Sequence, residues 1–218
     1  MEARTKSNIQ PPLADGAYAV LRDRLIRLEI RPGAAINEDE IRRELSIGRG
    51  PVREAIKRLE LEDLIDIFPR RGTFAAEIQI TDLAAISEVR VDLEGRAAYL
   101  AALRVNDEQL EELRELQGEL GQDVTEGDTE ALMELDARVH RLVYRCARNS
   151  YLEDTAARFL NLSLRIWHLV LDRLPHLTQR VHEHGELLDA IEQREADRAR
   201  EIAAAHVTTF EREIRAVL

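Results

Sequence analysis

Apolar residues recur at helical spacing through most of this chain, and the places where the rhythm breaks define its organisation. The first stretch of period 3.6 starts near Asp15, runs through AYAVLRDRLIRLEI and ends at the turn signal Arg31-Pro32-Gly33. Asn37 then suits the N-cap of a short helix reaching about Leu45. Residues 46–50 read as a tight turn, with Gly50 as the next N-cap and Pro51 at the first helical position, where a missing N–H costs nothing. The helix that follows runs to about Asp63. Val52, Ala55, Ile56 and Leu59 form one of its faces, and Arg49, Arg53 and Lys57, at steps of four, form another. Two short β-prone runs in LIDIFPRRGTFAAEI flank Pro69-Arg70-Arg71-Gly72 and predict a hairpin with a basic tip.

Beyond residue 80 the strand signal disappears. Amphipathic helices are expected over 81–104, 106–126, 128–147, 150–174, 178–193 and 195–217, with breaks at Asn106-Asp107, Gly127-Asp128, Asn149-Ser150, Pro175 and Arg194. The pattern therefore predicts a mainly α protein in three parts. A flexible polar arm (1–14) precedes a winged helix-turn-helix (15–79), and an all-helical antiparallel bundle (80–218) follows.

Composition sharpens this division. The net charge of −11 is uneven: residues 1–80 carry 14 Lys+Arg and 14 Asp+Glu, while residues 81–218 carry 17 and 28. The acidic total therefore does not argue against a nucleic-acid partner for the first part. The single cysteine, Cys146, excludes an internal disulfide and a thiolate metal cluster. No apolar run approaches the ~20 residues that span a bilayer. The opening residues lack the apolar middle of a signal peptide, so a cytoplasmic protein with no membrane partner is expected.

A cationic helix face alone is as typical of a solvated surface as of a recognition helix. Its context decides. A tight turn holding two helices at a large angle lets the second enter the ~12 Å major groove, and Arg70 and Arg71 on a hairpin can reach phosphates or the minor groove. The run LSIGRGPVREAIKRLELEDLIDIFPRRGTF closely resembles the L-x-V-S-R-T-P-V-R-E-A-L-x-R-L-x-x-E-G-L pattern of GntR-family bacterial transcription factors, wing included. The resemblance implies base contacts from Arg49 and Arg53, and a wing tip at Gly72 near the minor groove. Gly48 and Gly50 stand where the pattern has serine and threonine, and Asp63 stands where it has glycine.

The second part carries all six histidines. Asp136 and His140 lie four apart on a face shared with Leu132, Met133, Val139 and Val143. His184 shares its stripe with Val181, Leu187, Leu188 and Ile191, and His206 shares its own with Ile202, Ala203, Thr209 and Phe210. His182 is expected to face water and His176 to lie in a loop. Three imidazoles and a carboxylate projecting into one bundle suit Zn²⁺, Ni²⁺, Mn²⁺ or Fe²⁺, with zinc preferred. The helix RFLNLSLRIWHLVLDRL bears a polar stripe, Asn161, Arg165, His168 and Asp172, which faces either the cavity or solvent. The cavity is the expected side for Asn161 and Arg165, which would then touch a ligand.

The D-x-x-x-H, N-S-Y-L, E-H-x-x-L-L-D-A-I and A-x-x-x-x-x-A-A-x-H segments resemble the effector domain of the FadR subfamily, the FCD domain. That resemblance implies metal ligation by Asp136, His140, His184 and His206, a small carboxylate effector, and an effector-contacting role for Arg90. Arg90 could otherwise be a surface residue paired with Glu94 one turn on. The whole implies a homodimeric regulator reading a pseudo-palindromic double-stranded DNA operator. A metal-dependent hydrolase and a constitutive DNA binder with a purely structural metal are the competing readings.

Overall fold

A computed structural model describes residues 13–121, 129–173, 181 and 183–217. The arm to residue 12, the break at 127–128, Pro175, His176, His182 and the side chain of Asp172 lie outside the described residues. Chain contacts separate two units, 1–78 and 79–218.

In the first unit α1 (Leu13–Ile26) buries Ala17, Leu21 and Leu25 against Val52, Ala55, Ile56 and Leu59 of α3 (Arg49–Leu61). Between them lie the two-residue strand β1 (Ala35–Ile36) and α2 (Glu38–Glu44). The wing is β2 (Ile65–Phe68) and β3 (Gly72–Ala75), paired antiparallel with Phe68 opposite Gly72; β1 joins the other edge of β3. Asn37 caps α2 as expected, its side chain accepting from the amides of Asp39 and Glu40.

Three boundaries differ from expectation, and left-handed residues account for most of the difference. The first helix stops at Ile26 because Leu28 takes φ 58°, and the Ile30 amide closes back on the Arg24 carbonyl. The turn between α2 and α3 is made by Ser46 (φ 54°), with the Ile47 amide on the Arg42 carbonyl. Gly48, not Gly50, is the N-cap of α3, in ordinary extended geometry (φ −74°, ψ 170°). Pro51 consequently sits third in the helix, where its missing N–H would still lack an i−4 partner. The far end of α3 keeps the usual closure with an aspartate in the glycine place. Asp63 is left-handed (φ 59°), its amide reaches the Glu60 carbonyl, and the Leu64 amide reaches that of Leu59.

The turn therefore does not require its glycines. A Cβ at Gly50 would meet nothing within 4 Å. Gly50→Ala should raise stability by about 0.4–1 kcal/mol through the unfolded chain, read as a higher urea midpoint. A simultaneous loss of DNA affinity would show that the bare backbone serves DNA approach.

The second unit opens with a 3₁₀ turn (Ile80–Asp82) and continues as α4 (Leu83–Arg104), α5 (Asp107–Leu120), α6 (Thr129–Cys146) and α7 (Ser150–Val170). A 3₁₀ turn (Leu171–Arg173) prolongs α7, and α8 (His184–Glu192) and α9 (Ala196–Val217) complete it. No strand occurs among the described residues of this unit. Asn106 and Gln109 form a reciprocal capping box on α5, which ends at Leu120 with Gly121 as its cap, and the expected continuation over 122–126 lies outside the described residues. Helix α4 packs on α6, α7, α8 and, most extensively, α9. Gly95 permits that closeness, since a Cβ there would stand 3.2 Å from Arg200 Cγ and 3.7 Å from Ala204 Cβ. Arg194, between α8 and α9, donates to the carbonyls of Ala102 and Val105 and satisfies the end of α4.

Candidate DNA interface and metal centre

The amphipathic split of α3 decides where its cations point. Arg49 and Arg53 are 73% and 69% exposed in their side chains, and Lys57 is exposed one turn further on. Arg58, off that face, is drawn inward: it donates to Asp15 at 2.5 Å and lies over the Tyr18 ring. Burial, then the neighbouring Glu62 charge and hydrogen bond, push the Tyr18 hydroxyl up to about 12.

The hairpin tip is the three-residue turn Pro69-Arg70-Arg71, with Arg70 left-handed (φ 65°) and Gly72 at φ 109°, a region that favours glycine. Arg70 and Arg71 are exposed, and the Arg71 guanidinium lies over Phe68. Arg49, Arg53, Arg71 and Gly72 all border one open cleft of about 500 Å³ between α2, α3 and the wing. The first turn of α2 supplies acids to the same cleft, Asp39 3.7 Å from Arg49 and Glu38 3.6 Å from Arg53. Such exposed pairs are worth ~0–1 kcal/mol, so phosphates and bases can displace them.

In the helical unit, Asp136 and His140 from α6, His184 at the start of α8 and His206 on α9 present ligand atoms within 4.8 Å of one another. The Asp136 carboxylate lies 3.8 Å from His140 Nε2, 3.6 Å from His184 Nε2 and 4.0 Å from His206 Nε2. Asp136, His140 and His184 are buried, and His206 nearly so.

Hydrogen-bond partners fix two of the rings. His140 Nδ1 faces a Glu94 carboxylate oxygen at 3.0 Å and His184 Nδ1 faces the Val181 carbonyl at 3.0 Å. Both nitrogens must donate, because their partners only accept. In the neutral rings both Nε2 atoms then carry lone pairs, and these face each other at 3.4 Å beside a carboxylate. A divalent cation between them would satisfy both lone pairs at once. Ligands on a tetrahedral ion with bonds of about 2.1 Å stand about 3.4 Å apart, so the set fits a divalent metal with small closure of the other contacts.

The electrostatics agree with the rings' partners. Burial lowers the basicity of His184. Burial also opposes charging His140, but the charges of Glu94 and Asp136 outweigh it and raise its pKa above the usual imidazole value. Burial opposes ionising Glu94 in turn; the charges of His140 and Arg90, with hydrogen bonds from His140 and Tyr144, hold its carboxyl well below the ordinary range.

Arg90 is buried, not superficial. It pairs with Glu94 at 2.6 Å, and its guanidinium lies 5.3 Å from the Trp167 ring centre. Its Nε has no hydrogen-bond partner among the described residues. Asn161 and Arg165 are buried as well, resolving the choice against solvent, and Asn161 accepts from Arg141 at 3.2 Å. An open pocket of about 310 Å³ is bordered by His184, His206, Glu183, Glu186 and Thr209, among others. Arg90, Asn161 and Arg165 are not among its described lining residues.

One functional candidate escaped the sequence reading, Glu94, whose Oε1 also accepts from the Tyr144 hydroxyl. The signal was present: Asp136, His140 and Tyr144 follow at steps of four, and Arg90 and Glu94 directly precede the alanine-rich run GRAAYLAALR, which suits a buried helix. Cys146 is buried, and burial pushes its thiol up to about 12, which suits packing.

A winged head with a cationic rim, joined in sequence to a helical unit with a buried ligand set, defines a DNA-binding regulator of two units. Residues 13–75 match the family described as bacterial regulatory proteins, gntR family, and residues 85–209 match the FCD domain. The chain belongs to the GntR family, in the group that carries an FCD domain, and is a transcriptional regulator of that kind. It is 23% identical over 217 residues to the HTH-type transcriptional repressor RspR of Escherichia coli strain K12, covering 100% of this chain and 95% of that protein. It is 27% identical over 185 residues to the Nta operon transcriptional regulator of Aminobacter aminovorans, covering 84% and 85%. In fold it is similar to E. coli McbR/YncC, with a TM-score of 0.81 at 20% identity over 95% of this chain and 99% of that one. No helix among the described residues is long and apolar enough to cross a membrane.

Proposed function

We propose that the protein is a homodimeric, sequence-specific operator-binding regulator whose DNA affinity is set by a small organic acid bound beside a divalent metal in its helical unit. The head is assigned to residues 15–79 and the effector domain to 80–218. In the head, Arg49 and Arg53 read base edges, Lys57, Arg70 and Arg71 neutralise phosphate, and Gly72 lets the wing backbone approach the minor groove. In the effector domain, Asp136, His140, His184 and His206 hold the ion, with zinc preferred for this nitrogen and oxygen set. Zinc bound there supplies a Lewis-acidic anchor for an effector carboxylate. Arg90, Asn161 and Arg165 supply the polar groups that orient the rest of the acid.

The observation that supports this most is the buried meeting of the His140 and His184 lone pairs beside Asp136, with Arg90 one carboxylate away through Glu94. The test is operator affinity of the zinc-loaded protein across a panel of small carboxylic acids, by fluorescence anisotropy. At least one acid should change the affinity ~5–150-fold, the ordinary range of allosteric coupling, and Arg90→Gln should lose that response. An affinity identical across the panel would leave the metal a structural role in a constitutive DNA binder.

A further inference from the structure

Three donors end on the Glu94 carboxylate, which is 2% exposed. Oε1 accepts from Arg90 Nη2 at 2.6 Å and from the Tyr144 hydroxyl at 2.5 Å, and Oε2 accepts from His140 Nδ1 at 3.0 Å. The His140 ring is therefore gripped on the side away from Nε2, the atom that lies 3.4 Å from His184 Nε2 and 3.8 Å from Asp136. A carboxylate on the free N–H of a metal-binding histidine fixes its tautomer, orients its ring and raises its basicity as a ligand. His184 has a neutral version of the same support in the Val181 carbonyl.

We propose that Glu94 is the positioning residue of the metal centre, aiming His140 Nε2 at the ion from α4 while holding Arg90 with its other oxygen. The inference rests on reading Asp136, His140, His184 and His206 as the metal site. Helix α4 contributes no member to that set. Glu94 is thus the side chain that carries the state of the centre to α4, which follows the winged head in chain order. One carboxylate then sets both a ligand ring and the arginine assigned to the effector, so neither can be reoriented without the other. Glutamine cannot replace it: a single carbonyl oxygen and an amide donor would face three donors.

The test is zinc affinity of the full-length protein by competition with a chromogenic chelator, joined to nitrogen-15 NMR of the histidine rings. Glu94→Gln should bind zinc ~10–100-fold more weakly than wild type. Tyr144→Phe, which leaves the Glu94–His140 bond intact, should stay close to wild type. In the zinc-loaded wild type, His140 should bind zinc through Nε2 and keep its Nδ1 proton. That spectrum needs no variant, so it decides the matter even where Glu94→Gln does not fold. Equal zinc affinity of Glu94→Gln and wild type would overturn the proposal, as would zinc on His140 Nδ1. A wild type that binds no zinc is a different failure: it removes the metal reading, and this inference with it.

Discussion

Asp136→Asn is expected to abolish the rise in melting temperature that zinc gives the wild type. Asp136 lies within 4 Å of all three histidine Nε2 atoms, so it is the anion around which the set is arranged. Asparagine keeps the volume and removes the charge, which isolates coordination from packing. A ligand present at a thousand times its dissociation constant stabilises the folded state by ~4.1 kcal/mol. For a domain of this size 1 kcal/mol corresponds to about 2–4 °C, so the wild-type shift should be about 8–16 °C. Calorimetry of both proteins, metal-stripped and zinc-loaded, checks it. A wild type that melts at the same temperature with and without zinc, nickel, manganese or iron would remove the metal from the account.

The second large effect belongs to the head. The double variant Arg49→Ala, Arg53→Ala should lose most specific DNA affinity while folding normally, since both side chains are exposed and make only weak pairs with Asp39 and Glu38. Each bidentate arginine–base pair is worth ~1–3 kcal/mol of discrimination, so the pair should lose ~2–6 kcal/mol in specificity. Binding to random DNA should fall far less, because the phosphate contacts proposed for Lys57, Arg70 and Arg71 remain. Anisotropy titrations with operator and scrambled duplexes separate the two terms. Equal losses on both duplexes would make these arginines phosphate contacts only.

How far the sequence alone reached depended on whether a feature was periodic or conformational. The cationic face of α3 and the Asp136–His140 pair were legible because a helix places i and i+4 together whatever surrounds it. The stripes carrying His184 and His206 were legible for the same reason, their apolar neighbours pointing them inward. Left-handed residues were not. Ser46 makes the turn that Gly48 and Gly50 advertise, Asp63 replaces the usual glycine at the end of α3, and Leu28 stops α1 early. Each is a single non-glycine residue in a conformation that context imposes, with no pattern to betray it. Strand β1 is two residues long and exists only because β3 lies beside it. Arg90 and Glu94 show a third kind of limit. Their spacing predicted a pair, but only the packing of α4 against α6, α7 and α9 buries it and turns the acid toward His140.

The central claim, a sequence-specific head, is tested most directly by letting the full-length protein select from sheared DNA of its own genome at physiological salt, with excess random competitor, and sequencing what it retains. The account predicts a few sharply enriched sites with two half-sites related by a two-fold axis about one helical turn apart, lost in the Arg49→Ala, Arg53→Ala variant. Uniform retention across the genome, unchanged in that variant, would contradict it.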